Sequence, residues 1–164
     1  MGTRSIVLVK KSDSKGKVTV HRLYKHWDGY PTENLKMIQQ AIDTCTKLAH
    51  DSFLEALPIF VKSCESYYER ENMVEETFHS DTFDPEMLGH QSDLEWIYTV
   101  DLDAKQVKVF GGGYTGNPPQ YAYQNGTVNP LDYANALIES YRDKERERIQ
   151  ENINGILALG FKLN

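Results

Sequence analysis

An α+β fold is what this 164-residue chain predicts: a four-stranded antiparallel sheet made of two hairpins, packed by helices on one face, with a long C-terminal helix. Three observations carry that expectation. Two pairs of short apolar strands each flank a polar turn, two amphipathic stretches follow the first pair, and a third helical stretch closes the chain. At this length one domain, residues 1–164, suffices to bury a single core.

Ile6-Val7-Leu8-Val9 is a continuous apolar run, the pattern of a strand buried on both faces or central in its sheet. Ser12 to Gly16 supplies the turn, and Lys17 to Trp27 the second strand of the hairpin. Alternation puts Tyr24 and His26 on one face and Leu23, Lys25 and Trp27 on the other, so His26 and Trp27 meet only if the strand ends or bulges between them. Pro31-Thr32 opens a helix with Thr32 as N-cap, Glu33 in the first turn and an apolar stripe of Leu35, Ile38, Ile42, Cys45, Leu48 and Ala49. Leu54, Leu57, Val61, Cys64 and Tyr68 fall at helical spacing, and Pro58 interrupts them, so a second helix is either kinked there or starts near Pro58, the later start being favoured. From Glu69 to Gly89 no clean period appears, and the segment is expected to be loop. Leu94–Asp101 and Gln106–Phe110 form the second hairpin.

Asn129-Pro130 marks the start of the last helix, expected to reach about Leu159. Its ends are apolar while its centre, Arg142 to Arg148, is almost wholly charged. Either the helix leaves the domain body at this waist, or it breaks near Arg142–Glu145 and both halves pack on one core. The first alternative makes residues 130–164 a dimerisation helix, with 149–161 in the interface of a homodimer.

The densest stretch for chemistry is Tyr24-Lys25-His26-Trp27-Asp28-Gly29-Tyr30-Pro31, where rings and a carboxylate gather at a strand-to-turn corner. The opening Met1-Gly2-Thr3-Arg4-Ser5, which runs straight into the first strand, and the later Trp27-Asp28-Gly29-Tyr30-Pro31 together resemble small, largely uncharacterised proteins of bacteria and their phages. The resemblance covers the first 31 residues and, more weakly, Glu95 to Asp101. It implies a phage or mobile-element context, with a role against host or defence proteins, and carries no chemistry of its own.

The net charge of −6 is unevenly spread. Residues 1–64 hold 10 Lys and Arg against 6 Asp and Glu, whereas residues 65–103 hold 1 against 12. So negative a stretch disfavours direct contact with a nucleic-acid backbone and suits a basic partner. No run of 18 apolar residues is present, so no membrane span is expected, and the N-terminus shows no signal-peptide pattern. A cytoplasmic location with reduced Cys45 and Cys64 in the core accords with these signs.

Other constellations are weaker. His79, Asp81, Asp84, His90 and Asp93 lie close together but match no metal-ligand spacing, and no cofactor is expected. Gly111-Gly112-Gly113 is followed by Pro118-Pro119 instead of a helix, so it suits a flap carrying Tyr114, Tyr121 and Tyr123 better than a phosphate cradle. His26 with Asp28 could form an acid–base pair, with Arg4 as an anion clamp, yet no nucleophile is marked.

Three functions are open to such a chain. The first is a non-enzymatic binding or inhibitor protein that engages a host or defence protein, or sequesters a nucleotide signal, through Arg4, Tyr24, His26, Trp27, Asp28, Tyr30, Tyr114 and Tyr121. The second is a phosphoester or nucleotide hydrolase using His26 and Asp28. The third is a structural, homodimeric assembly protein. The lack of a catalytic motif favours the first.

Overall fold

The structure, a computed structural model, describes residues 3–48, 56–67, 73–80, 83, 87, 94–111 and 126–164. Strands β1 (Ser5–Ser12) and β2 (Val18–Lys25) form the first hairpin, and helices α1 (Pro31–Leu48) and α2 (Ala56–Tyr67) come after it. Next are β3 (Met73–Phe78) and the hairpin of β4 (Trp96–Asp101) with β5 (Gln106–Gly111). The chain ends in α3 (Leu131–Asn135), α4 (Glu139–Ala158) and β6 (Lys162–Leu163).

Both predicted hairpins form, but the sheet is mixed and six-stranded, in the order β3-β2-β1-β4-β5-β6, not four-stranded and antiparallel. The hairpins join through β1 and β4, which run parallel with Ser5 opposite Trp96 and Lys10 opposite Asp101. That join explains the unbroken apolar run at Ile6–Val9. These residues lie inside the sheet with a buried layer on each face, since Val7 and Val9 belong to one apolar cluster and Ile6 and Leu8 to the other.

The first cluster holds the helices. Leu35, Ile38, Ile42 and Cys45 of α1, Phe60, Val61 and Cys64 of α2, and Ile149, Ile153 and Ile156 of α4 pack on Val7, Val9, Trp96, Tyr98 and Val109. The opposite face buries Ile6, Leu8, Val20, Ile97 and Phe110 under Met87 and Phe83. Helices therefore cover one face, as expected. Cys45 and Cys64 are both buried.

Several local expectations are corrected. Leu48, assigned to the apolar stripe of α1, is 65% exposed in the helix's last turn. Thr32 does not cap α1. The helix starts one residue earlier, at Pro31, and the Thr32 hydroxyl donates to Glu145 Oε2 at 2.5 Å. The segment expected to be loop contains the edge strand β3, hidden by Glu75-Glu76 interrupting the alternation. Position explains it: Glu76 lies opposite Arg22, with 3.6 Å between their charged atoms, and Phe78 joins the second apolar cluster. The two-residue β6 is too short to show any period. It is fixed by Asn164, whose N–H donates to Val107 O and whose Oδ1 accepts from Val109 N–H, each at 2.8 Å.

The last helical stretch breaks at residues 136–138, not within its charged waist. Asn129 does open it, its Oδ1 accepting from Leu131 N–H at 3.0 Å. The waist docks on the start of α1: Arg148 bridges Glu33 at 3.0 Å and Glu145 at 3.1 Å, and Asn152 Nδ2 donates to Thr32 O at 3.1 Å. Two carboxylates thus sit at the positive end of α1, where the helix dipole favours them. Ile149, Ile153 and Ile156 are buried in the chain's own core, against α1 among other elements, while Leu157 is half exposed. Among the described residues no helix is long and apolar enough to cross a membrane.

Candidate functional site

Strand β2 ends at Lys25 and gives way to a turn whose carbonyls at residues 28–30 are each hydrogen-bonded. Lys25 Nζ donates to Asp28 O at 2.7 Å. Gly29 O accepts from Asn34 Nδ2 at 2.7 Å and from the Tyr98 hydroxyl at 2.9 Å, and Tyr30 O accepts from Asn34 N–H at 3.2 Å. Gly29 N–H in turn donates to Thr3 O at 2.8 Å, and Asn34 Nδ2 also donates to Ser5 Oγ at 2.8 Å. The two sequence motifs that carry the resemblance therefore form one object: Thr3-Arg4-Ser5 is the floor on which Trp27-Asp28-Gly29-Tyr30 is laid.

Asp28 adopts φ 53°, a left-handed conformation that Asp tolerates better than most residues. Its side chain is exposed. Because the strand has ended, the alternation that would separate His26 from Trp27 no longer applies, and their rings meet edge to face with centroids 4.8 Å apart. His26 also packs edge-on against Tyr24 at 6.3 Å. Its Nδ1 accepts from Arg4 Nε at 3.4 Å and lies 3.2 Å from the Tyr24 hydroxyl. Arginine can only donate, so Nδ1 is the acceptor of that contact. Trp27, mounted on this ring, is 47% exposed.

Of the predicted site residues, the structure brings together Arg4, Tyr24, His26 and Trp27. Asp28 shapes the turn through its backbone, and its carboxylate makes no hydrogen bond to His26. Tyr30 turns the other way and stacks on Tyr133, with centroids 5.8 Å apart and planes 15° from parallel. Burial first, then the carboxylates of Asp28, Glu33 and Glu145, push its phenol up to about 12, while Arg148 opposes them. Tyr114, Tyr121 and Tyr123 lie outside the described residues. So do Asp81, Asp84, His90 and Asp93, and among the described residues no group of three or more His, Cys, Asp or Glu is placed to hold a metal ion.

Sequence reasoning missed Lys25, Asn34 and Tyr98 as parts of the turn. Lys25 had a signal, since alternation placed it on the face of Leu23, and it is indeed buried with only 4% exposure. Burial lowers its pKa from 10.5 to about 7, against the opposing pull of Asp28, Glu33 and Cys64. Tyr98 had none, because its bond to Gly29 O spans 69 residues, and the bond of Asn34 to Ser5 spans 29. Comparison of this chain with protein-family models, curated proteins and solved structures finds no match.

Proposed function

We propose that this chain is a non-enzymatic binding protein of the small bacterial and phage type, acting in the cytoplasm and engaging a host or defence protein through the corner of Arg4, Tyr24, His26 and Trp27. The observation that carries this reading is the half-exposed Trp27 indole, held against His26 on a turn whose Asp28 and Gly29 carbonyls are fixed. A large aromatic left in water contributes little to folding, whereas a pre-positioned one contributes strongly to association because little ordering entropy remains to be lost. Trp, Tyr and Arg are the side chains that most often dominate such contacts.

Hydrolysis is less well supported. His26 Nδ1 is engaged by Arg4 and Tyr24, and Asp28 does not orient the ring as the carboxylate of an acid–base pair would. The acidic stretch of residues 65–103 favours a basic partner surface over a nucleotide.

The test compares wild type with Trp27→Ala in affinity capture from host lysate, alongside a nucleotide panel read by melting temperature and product analysis. The expected result is a specific partner bound by wild type and weakened by at least about thirtyfold in Trp27→Ala, the size of a central aromatic anchor. The melting temperature should be unchanged, because the ring is half in water. Retention of the partner by Trp27→Ala would remove the corner from recognition, and nucleotide turnover would establish the hydrolase instead.

A further inference from the structure

The two edges of the sheet are built differently. On one side β6 offers only two residues, a length that blunts an edge. On the other, β3 runs through consecutive pairs with β2, from Phe78 opposite Val20 to Met73 opposite Lys25, with no bulge, no proline and no lysine, the usual protections of an exposed edge. Among the described residues no backbone group bonds to the outer side of β3. A regular edge of this kind presents alternating N–H and C=O groups with which an extended chain can pair.

Charge narrows what can pair there. Glu75 and Glu76 stand at the middle of the strand, and the Glu76 side chain is 50% exposed although Arg22 lies 3.6 Å away. A second copy aligned antiparallel in full register would place each Glu75 opposite the other's Glu76, and like charges directly opposite one another oppose pairing. The strand belongs to residues 65–103, which hold 1 Lys or Arg against 12 Asp and Glu. Its first residues also adjoin the corner, since Val74 is opposite Tyr24 and Met73 opposite Lys25. One more strand laid on β3 would therefore reach the end of the sheet where the turn carries Trp27.

We infer that β3 is the edge on which the partner protein lays a basic extended segment, with Lys or Arg opposite Glu75 and Glu76. This names the chemistry of the partner and rests on the reading of the corner as a partner site. Main-chain hydrogen bonds hold a strand added in this way, and the side chains along it decide which segment is accepted. Opposite charges across the new pair favour a basic segment, whereas an acidic one or a second copy meets repulsion.

The probe is the peptide amide Thr-Val-Lys-Lys-Val-Thr. Its controls are the Glu-Glu counterpart and the fully N-methylated form, which keeps the side chains and charges but cannot pair as a strand. Amide hydrogen exchange of the full chain is followed residue by residue by NMR. The expected result is a saturable slowing, by about three- to tenfold, of the amides within residues 73–78 whose N–H points away from β2. Neither control peptide should slow them, and about 0.5 M salt should weaken the effect of the Lys-Lys peptide. No slowing, slowing confined to other elements, or equal slowing by the N-methylated peptide would overturn the assignment. So would slowing that grows with protein concentration alone, which would give the edge to a second copy. The peptide carries no anchor for Trp27, so Trp27→Ala should bind it as the wild type does. Capture of a partner that depends on Trp27, with no peptide on β3, would leave the corner standing and remove the edge.

Discussion

Gly29 sits where a β-carbon has no room. One built there would lie 2.6 Å from Thr3 O, 2.7 Å from Ser5 Cβ and 2.8 Å from Ser5 Oγ. The obstacle is the Thr3 backbone just before β1 and the short Ser5 side chain at its start, which cannot swing aside as a long side chain would. Gly29→Ala should therefore destabilise the protein by about 1–3 kcal/mol, the usual cost of overpacking a filled site. Urea denaturation would show it as a lowered midpoint with an unchanged slope. Partner capture should fall with it, since the same turn carries Trp27. An unchanged midpoint would mean that the strand and turn are not locked together. Asp28 is the contrast: its left-handed backbone is met by a residue that tolerates it, and its exposed carboxylate has no part in the lock. From sequence alone the Trp-Asp-Gly-Tyr-Pro stretch was recognisable as a corner. That its glycine answers to Ser5 was not legible, because the close approach exists only once β1 and the turn are side by side.

Helix α4 marks the limit of pattern reasoning for whole elements. Its charged centre looked like a departure from the core, because charge on successive turns usually means solvent on all sides. Instead Glu145 and Arg148 reach the first turn of α1, and Ile149, Ile153 and Ile156 fill the space beyond it. Both hairpins, α1 and the start of the last helical stretch were legible because each rests on local period or turn chemistry. The parallel join of β1 to β4, the edge strand β3 and the docking of α4 were not, since each is decided by a surface far away in sequence. These contacts predict that Ile149→Ala, which truncates a fully buried side chain, will cost about 2–5 kcal/mol. A chain ending at Lys144 lacks Ile149, Ile153, Ile156 and Phe161 together and should lose cooperative unfolding. A truncated chain that still melts sharply would return α4 to the role of a separate dimerisation arm.

Across the whole molecule, the buried titratable groups set how stability answers to pH. Lys25 ionises at about 7 when folded and near 10.5 when unfolded, because burial opposes its charge more than Asp28, Glu33 and Cys64 support it. Between these values the unfolded chain binds more protons than the folded one, so stability rises as pH increases from 7. Cys45 works in the opposite sense. Burial pushes its thiol from 9.0 up to about 12, so above pH 9 the folded chain keeps a proton that the unfolded chain has lost, and stability falls. Tyr30, raised from 10.0 to about 12, adds to that fall. Because the Lys25 gain continues to 10.5 and offsets the Cys45 loss until Tyr30 adds to it, the trends together place maximum stability at about pH 9–10. Melting temperature measured from pH 6.5 to 10.5 should therefore climb, turn over and decline. Lys25→Met keeps an unbranched chain in the same space and removes the titration, so it should flatten the climb between 7 and 9 and bring the decline forward to about pH 9. Cys45→Ala should reduce the decline and extend the climb to about pH 10. A wild-type profile that is flat or falling between pH 7 and 9, or a Lys25→Met variant with the same climb, would show that Lys25 does not hold the turn from a buried position.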